Sequence, residues 1–296
     1  MTTVTETVQS SAGKPVVICD VSPPRGGAPG ALRESAALDA DFLSVAHNPG
    51  LSVRVNSVFA ARYVLECLGK PALFTLATRD MNRIAIQSLL LGASWTGLHN
   101  VVVVRGDPIG VRDSDLVKSV NDYTTTALLS DISRMNQSRD FRGLSLSSPT
   151  SFCPGATVDI GKGIESEASL ASRKIMAGAE FLLSQAHFDA PEVRDLRSRI
   201  STRSFQEFPV FAGVQVLAQD GIDFGNIPDG IRQDLDEGKS GLEIAKELAL
   251  DLWSEGISTF YVIPTIRRRG IRDYSTAAEL IQYIKSLPVS YPASNR

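Results

Sequence analysis

Several ingredients that would announce a function are scarce in this sequence. Only three of its 296 residues are cysteine (Cys19, Cys67 and Cys153), an odd number with no CxxC spacing. A disulfide framework and a cysteine metal site are therefore excluded, and all three thiols are expected to be reduced and buried. The three histidines, His47, His99 and His187, have neither i, i+4 spacing nor close carboxylate partners, so no metal is expected. No window approaches the roughly 18 apolar residues of a membrane span. The opening MTTVTETVQSSAGK carries no apolar signal core. A cytoplasmic location without a membrane partner is expected. No basic block extends over more than a few residues: 30 Lys+Arg face 33 Asp+Glu for a net charge of −3, which argues against a nucleic-acid partner and for a small-molecule one. A GxxxxGK[ST] phosphate loop and a GxSxG nucleophile elbow are both missing. RGGAPG (25–30) has the wrong spacing for a dinucleotide fingerprint, and a proline interrupts it.

What the chain does have is apolar residues, 43% of the total, in a repeating order. Short β-rich runs alternate with longer amphipathic stretches, and no Ser/Pro/Gly-rich linker divides them. Eight strand candidates follow: 15–21, 41–47, 72–78, 100–106, 152–158, 179–185, 208–216 and 259–265. Several are continuous Val/Ile/Leu/Phe runs, the mark of strands covered on both faces of a parallel sheet. Helix candidates include 53–69, 82–97 and 241–256. In the last, Leu242, Ala245, Leu248, Ala249 and Leu252 form one apolar stripe. Gly69, Gly97 and Gly256 suit helix C-caps. Eight βα units of roughly 35 residues predict a single-domain α/β fold, the (β/α)8 TIM barrel. A doubly wound sheet competes, and the strand count favours the barrel. Residues 1–14 are expected to be a disordered tail, 15–287 the barrel, and 288–296 a C-terminal tail.

A barrel places its chemistry where strands end and βα loops begin. Those ends carry Asp20, Ser22 and Arg25; His47 and Asn48; Thr75, Thr78, Arg79 and Asp80; Arg105 and Asp107; Thr157 and Asp159; Gln185 and His187; Gln215; and Thr265 with Arg267 to Arg269. A mouth that mixes acids, amides and bases suits a large, polar, partly anionic ligand. Each residue also has a bland explanation. Asp20 could cap the Pro-Pro turn that follows it, Asp107 could be a turn residue, and Arg267, Arg268, Arg269 and Arg272 could form a solvated face. After strand eight of a barrel, however, an arginine cluster lies where phosphate or carboxylate groups often bind.

Five segments in order also resemble the methylenetetrahydrofolate reductase family: CDVSPPR (19–25), DFLSVAHNPG (41–50), LATRDMNR with LGASWTGLHNVVVVRGDP (76–108), SRKIMAGAEFLLSQAHFD (172–189) and residues 227–264. The resemblance implies a flavin-dependent barrel that reduces 5,10-methylenetetrahydrofolate to 5-methyltetrahydrofolate. It implies an FAD site at His47, Thr75, Arg105, Gly106, Asp107, Arg173 and Lys174, the last two clamping the pyrophosphate. Gln185 matches a folate-binding glutamine. His187, Gln215 and Arg267 join it as substrate-side candidates, with Arg267 to Arg269 receiving the glutamate tail. Asp20 stands where the family has a general-acid glutamate, one methylene longer, with Asp107 as its catalytic companion. Other departures are Ala46-His47 for a usual Thr-Tyr, Thr75 for a common His, and GATVDIGKG after strand five.

The leading expectation is an oxidoreductase that interconverts methylene- and methyltetrahydrofolate, with FAD as cofactor and NADH or NADPH as hydride source. The missing flavin contacts keep two alternatives open: a flavin-free pterin barrel working by direct hydride or methyl transfer, and a non-catalytic folate-binding subunit. Apolar helix faces permit a homo-oligomer without fixing a subunit count.

Overall fold

Eight parallel strands close on themselves in sequence order: β1 (Val16–Val21), β2 (Phe42–Val45), β3 (Ala72–Ala77), β4 (Asn100–Val104), β5 (Cys153–Val158), β6 (Phe181–Ala186), β7 (Val210–Gln215) and β8 (Thr259–Ile263). The ring closes through β1 and β8, where Val16 pairs with Thr259 and Cys19 with Val262. In this computed structural model, residues 2–204, 207–267 and 270–289 are described. All eight expected strands are present, and the architecture is the expected (β/α)8 barrel. Every residue of β1, β2 and β7 is buried, as continuous apolar runs covered on both faces require.

Two apolar layers follow from strand alternation. Ile18, Phe42, Leu73, Val102, Phe181 and Phe211 point into the barrel and fill it. Gly155 makes room there, because a Cβ at that position would lie 2.4 Å from the Phe181 ring. Alternate residues such as Val17, Leu43, Phe74 and Val101 face outward under the helices.

The outer layer contains α2 (Gly30–Arg33), α3 (Ser57–Cys67), α4 (Arg83–Trp95), α5 (Thr125–Met135), α6 (Ile164–Met176), α7 (Ala190–Ser204), α8 (Asp229–Asp236), α9 (Gly241–Ser254) and α10 (Tyr274–Lys285). The anticipated C-cap glycines behave as such, with φ of 65° at Gly69, 82° at Gly97 and 77° at Gly256. None of the described helices is long and apolar enough to cross a membrane.

The tail expected at residues 1–14 is instead partly a helix, α1 (Val4–Ser10). Its start is a capping box: Thr3 accepts from the Glu6 amide, and Glu6 accepts from the Thr3 amide at 2.8 Å. Val4 is fully buried in the barrel interior, and its amide donates to Asn100 Oδ1 at 2.9 Å, at the start of β4. The helix thus stoppers the barrel's lower end. Its apolar residues are too few to stand out, and a surface that only the closed barrel creates holds it in place. Of the expected C-terminal tail, residues 290–296 lie outside the described residues.

A small antiparallel ribbon, β9 (Thr265–Arg267) and β10 (Ile271–Asp273), follows β8 and pairs Arg272 with Ile266. It folds Arg272 back toward the end of β1.

Candidate active site

The C-terminal ends of the strands surround an open cavity of about 1180 Å³. Asp20, Asp107 and Gln185 all line it, with His47, Thr75, Arg105 and Gly106 from the expected set. A second cavity of about 1370 Å³ adjoins the first through Arg105, Thr157, Lys162 and Gln185. Lys174 and the start of α5 at Thr124, Thr125 and Thr126 form part of its wall.

Asp20 is at the floor of the mouth and 5% exposed. Arg272 Nη2 lies 2.5 Å from its Oδ2, and the Tyr261 hydroxyl donates to its Oδ1 at 3.0 Å. The Arg272 Nε donates in turn to Ser22 Oγ at 2.9 Å. Burial pushes the Tyr261 phenol well above its ordinary pKa, and the Asp20 charge adds to that, so Tyr261 keeps its proton to donate. Asp20 is therefore half of a buried ion pair. Arg272 and Tyr261 thus hold the carboxylate from two sides at the position where the family resemblance leads one to expect a proton donor.

On the other side of the mouth, His47 Nε2 meets Asp80 Oδ2 at 2.9 Å. Arg79 grips the same carboxylate through Nε at 2.5 Å and Nη2 at 2.8 Å. Burial lowers the His47 pKa even though Asp80 pulls it upward. Burial alone would raise Asp80, but hydrogen bonds from Arg79 and His47 outweigh it and the carboxyl is lowered. The free Nη1 of Arg79 donates to the Asp107 carbonyl at 2.7 Å. Gly106 turns at φ 85°, where a Cβ would come within 3.2 Å of Ala77 and 3.3 Å of Arg79. The Arg-Gly-Asp turn is thus held by its backbone, leaving the exposed side chains of Arg105 and Asp107 on the rim.

Four expected site residues stand apart from both cavities. Arg173 is exposed on α6. His187 Nε2 is engaged with Glu192 at 2.6 Å. Gln215 donates to the Ile222 carbonyl and accepts from the Phe224 amide, both at 2.8 Å, so it shapes the loop that brings Phe224 to the mouth. Arg267 has a half-exposed side chain 3.5 Å from Asp273. Arg268 and Arg269 lie outside the described residues. Lys174 is buried, donating to the Thr157 carbonyl at 2.5 Å, and burial lowers its pKa against the pull of Glu167. Cys67, expected to be buried, is exposed at the end of α3, whereas Cys19 and Cys153 are buried. Among the described residues no group of three His, Cys, Asp or Glu side chains could hold a metal ion.

Sequence reasoning overlooked Tyr261 and left Arg272, with Arg267 to Arg269, open between a solvated face and an anion-binding cluster, without pairing it to Asp20. The signal for Tyr261 was available: it lies two residues before Ile263, which also lines the mouth, so strand alternation turns both inward. For Arg272 there was none, because only the β9–β10 ribbon carries it to Asp20.

The model of the methylenetetrahydrofolate reductase family matches residues 6–263, nearly the whole barrel. The chain belongs to that family. Among solved structures, it is similar to an uncharacterized protein from Clostridium thermocellum described as binding two copies of 5-methyl-5,6,7,8-tetrahydrofolic acid. That match has a TM-score of 0.66 and 15% identity, and covers 94% of this chain and 98% of the other. It is also similar to a candidate lyase or mutase from Burkholderia cenocepacia, with a TM-score of 0.51 and 13% identity over 95% of this chain and 85% of that one. At these identities the likeness concerns the fold. No curated protein matches the chain.

Proposed function

We propose that the mouth binds a reduced folate and interconverts 5,10-methylene- and 5-methyltetrahydrofolate, with hydride passing directly between the folate and a nicotinamide. The observation that carries this reading is the convergence of the buried Asp20–Arg272 pair and the Gln185 side chain in one cavity of a barrel of this family. Gln185 has no side-chain hydrogen bond among the described residues, so its amide is available to donate to and accept from a pterin edge. The two adjoining cavities offer room for two ligands at once. The Clostridium thermocellum neighbour, described with two bound folates, supports that arrangement.

The reduction can be followed atom by atom. A proton reaches N10 of the folate from water in the open mouth, the methylene carbon–N10 bond breaks, and an N5 iminium cation forms. The Asp20 carboxylate, the negative end of its pair with Arg272, faces that cation and stabilises it, and Tyr261 and Arg272 hold the carboxylate in place. Hydride from the reduced nicotinamide then adds to the iminium carbon, giving the methyl group and the oxidised nicotinamide. Methyl oxidation uses the same groups in reverse.

FAD, which the family resemblance leads one to expect, needs its diphosphate gripped by fixed positive charge. Arg173 faces solvent, Lys174 is committed to the Thr157 carbonyl, and Lys162 lies 3.1 Å from Asp159. Arg79 and Arg272 are paired to Asp80 and Asp20. Of the cations lining the two cavities, Arg105 alone has no partner among the described residues. These residues do not fit a resident dinucleotide, so no step is routed through a flavin. A co-substrate is held only for one turnover and can leave its diphosphate in solvent.

The test is the visible spectrum of the purified protein together with methylenetetrahydrofolate-dependent oxidation of NADH or NADPH without added flavin. The reading expects a colourless protein that turns over. A retained flavin band, turnover that appears only on adding FAD, or no turnover under either condition would overturn it.

A further inference from the structure

The connections β2–α3 (46–56) and β4–α5 (105–124) enclose a further cavity of about 840 Å³ beside the mouth. Asn48 and Arg79 line both, so the two spaces are continuous. The walls differ in kind from those of the mouth. Leu51 and Val53 come from the first connection, and Ile109, Leu116 and Val117 from the second. Val53 is 85% exposed and Leu116 83%. Apolar side chains scattered singly on a surface need no explanation, but a group that converges on one cleft marks a binding site. Leu51 also stands at φ 57°, in the left-handed region that a branched side chain rarely adopts, a strain of the kind kept at ligand sites.

Two polar groups of this cleft are uncommitted. Asp80 is held by Arg79 and His47, but the side chains of Asp113 and Lys118 have no partner among the described residues. When hydride passes from a nicotinamide to a folate in the mouth, the rest of the dinucleotide must leave the mouth along a surface that suits it. Adenine is a flat ring that binds between apolar side chains, a ribose hydroxyl donates to a carboxylate, and a diphosphate needs a cation. The cleft offers all three together, with Asp113 and Lys118 beside the apolar wall. The second cavity does not, because threonines, acids and lysines make up most of its wall.

We infer that the cleft between the β2–α3 and β4–α5 connections binds the adenosine half of the nicotinamide dinucleotide. Adenine lies among Leu51, Val53 and Leu116, Asp113 accepts from the ribose hydroxyls, and Lys118 meets the diphosphate. The inference rests on the reading that a nicotinamide supplies the hydride. Lys118 is exposed, so it holds the diphosphate loosely, as suits a co-substrate that departs after each turnover.

Calorimetric titration of NADH, NADPH and 5-methyltetrahydrofolate tests it on the wild type, Leu116→Asp, Asp113→Ala and a control, Leu250→Asp, whose exposed side chain on α9 lines neither the mouth nor the cleft. For the dinucleotide that wild type binds, Leu116→Asp should weaken affinity roughly tenfold or more, the scale of one lost apolar contact, and Asp113→Ala should also weaken it. Folate affinity should stay level in both, and the control should match wild type. ADP-ribose, which lacks the nicotinamide ring, should compete with the dinucleotide on wild type. Leu116 is too exposed for its replacement to threaten the fold, so that variant remains informative even if Asp113→Ala folds poorly. Dinucleotide affinity unchanged in Leu116→Asp, or indifferent to ADP-ribose, would overturn the cleft assignment and leave the nicotinamide reading standing. Equal losses of folate and dinucleotide affinity in Leu116→Asp would also overturn the assignment. Wild type that neither binds nor oxidises NADH or NADPH would overturn both.

Discussion

Replacing Asp20 by Asn keeps the shape of the side chain and removes the charge that Arg272 meets at 2.5 Å. The two side chains are only 7% and 5% exposed, so water cannot replace the lost carboxylate. Arg272 Nη1 already lacks a hydrogen-bond partner, which leaves the guanidinium no spare acceptor nearby. Breaking one side of a buried pair costs about 3–5 kcal/mol. Against a total stability of about 5–15 kcal/mol, that is a large fraction, readable as a lower urea midpoint. Adding Arg272→Met removes the stranded charge, and the double variant should return to within about 2 kcal/mol of wild type. Stability and chemistry then separate. If the carboxylate stabilises the iminium, the refolded double variant should still turn over about 10²–10³-fold more slowly. An Asp20→Asn protein as stable as wild type would refute the ion-pair argument. A stable double variant with wild-type turnover would remove Asp20 from the chemistry.

Three further outcomes follow from the packing. Truncating the barrel stopper with Val4→Ala should cost about 1–2 kcal/mol in urea denaturation, from two buried methyl groups, with the mouth's ligand affinity unchanged. Gly213→Ala would put a Cβ 2.6 Å from the Ser184 and Gln185 carbonyls; by displacing β6 it should cost about 1–3 kcal/mol and weaken folate binding, both measurable on one sample. The His47 pKa is lowered in the fold, so the unfolded chain takes up a proton that the buried imidazole resists. Stability should therefore fall as the pH drops below 6.5 toward the folded-state value, and His47→Gln should flatten that slope in denaturation series between pH 7 and about pH 5.

The barrel was legible because its evidence is local. Each buried strand announces itself as an apolar run, and Gly69, Gly97 and Gly256 mark helix ends through a backbone conformation that glycine tolerates best. The mouth was legible in part for the same reason: Asp20, Asp107 and Gln185 sit at or just past strand ends, and topology alone brings strand ends together. Local sequence could not reveal which polar groups neutralise one another. Arg272 reaches Asp20 only through the β9–β10 ribbon, and Gln215 turns to the Ile222 and Phe224 backbone instead of the cavity. Arg173 and Lys174 are neighbours in sequence yet face opposite ways on α6, one to solvent and one inward. In α1, the Thr3 to Glu6 spacing was a readable capping box, but the surface that gives the helix a place exists only once the barrel has closed.

The central claim is that the mouth around Asp20, Arg272 and Gln185 holds a reduced folate, and a calorimetric titration of 5-methyltetrahydrofolate into wild type and Gln185→Ala addresses it most directly. The account predicts saturable binding by the wild type and affinity at least about tenfold weaker in the variant. No heat of binding from the wild type, or equal affinity in the two proteins, would contradict it.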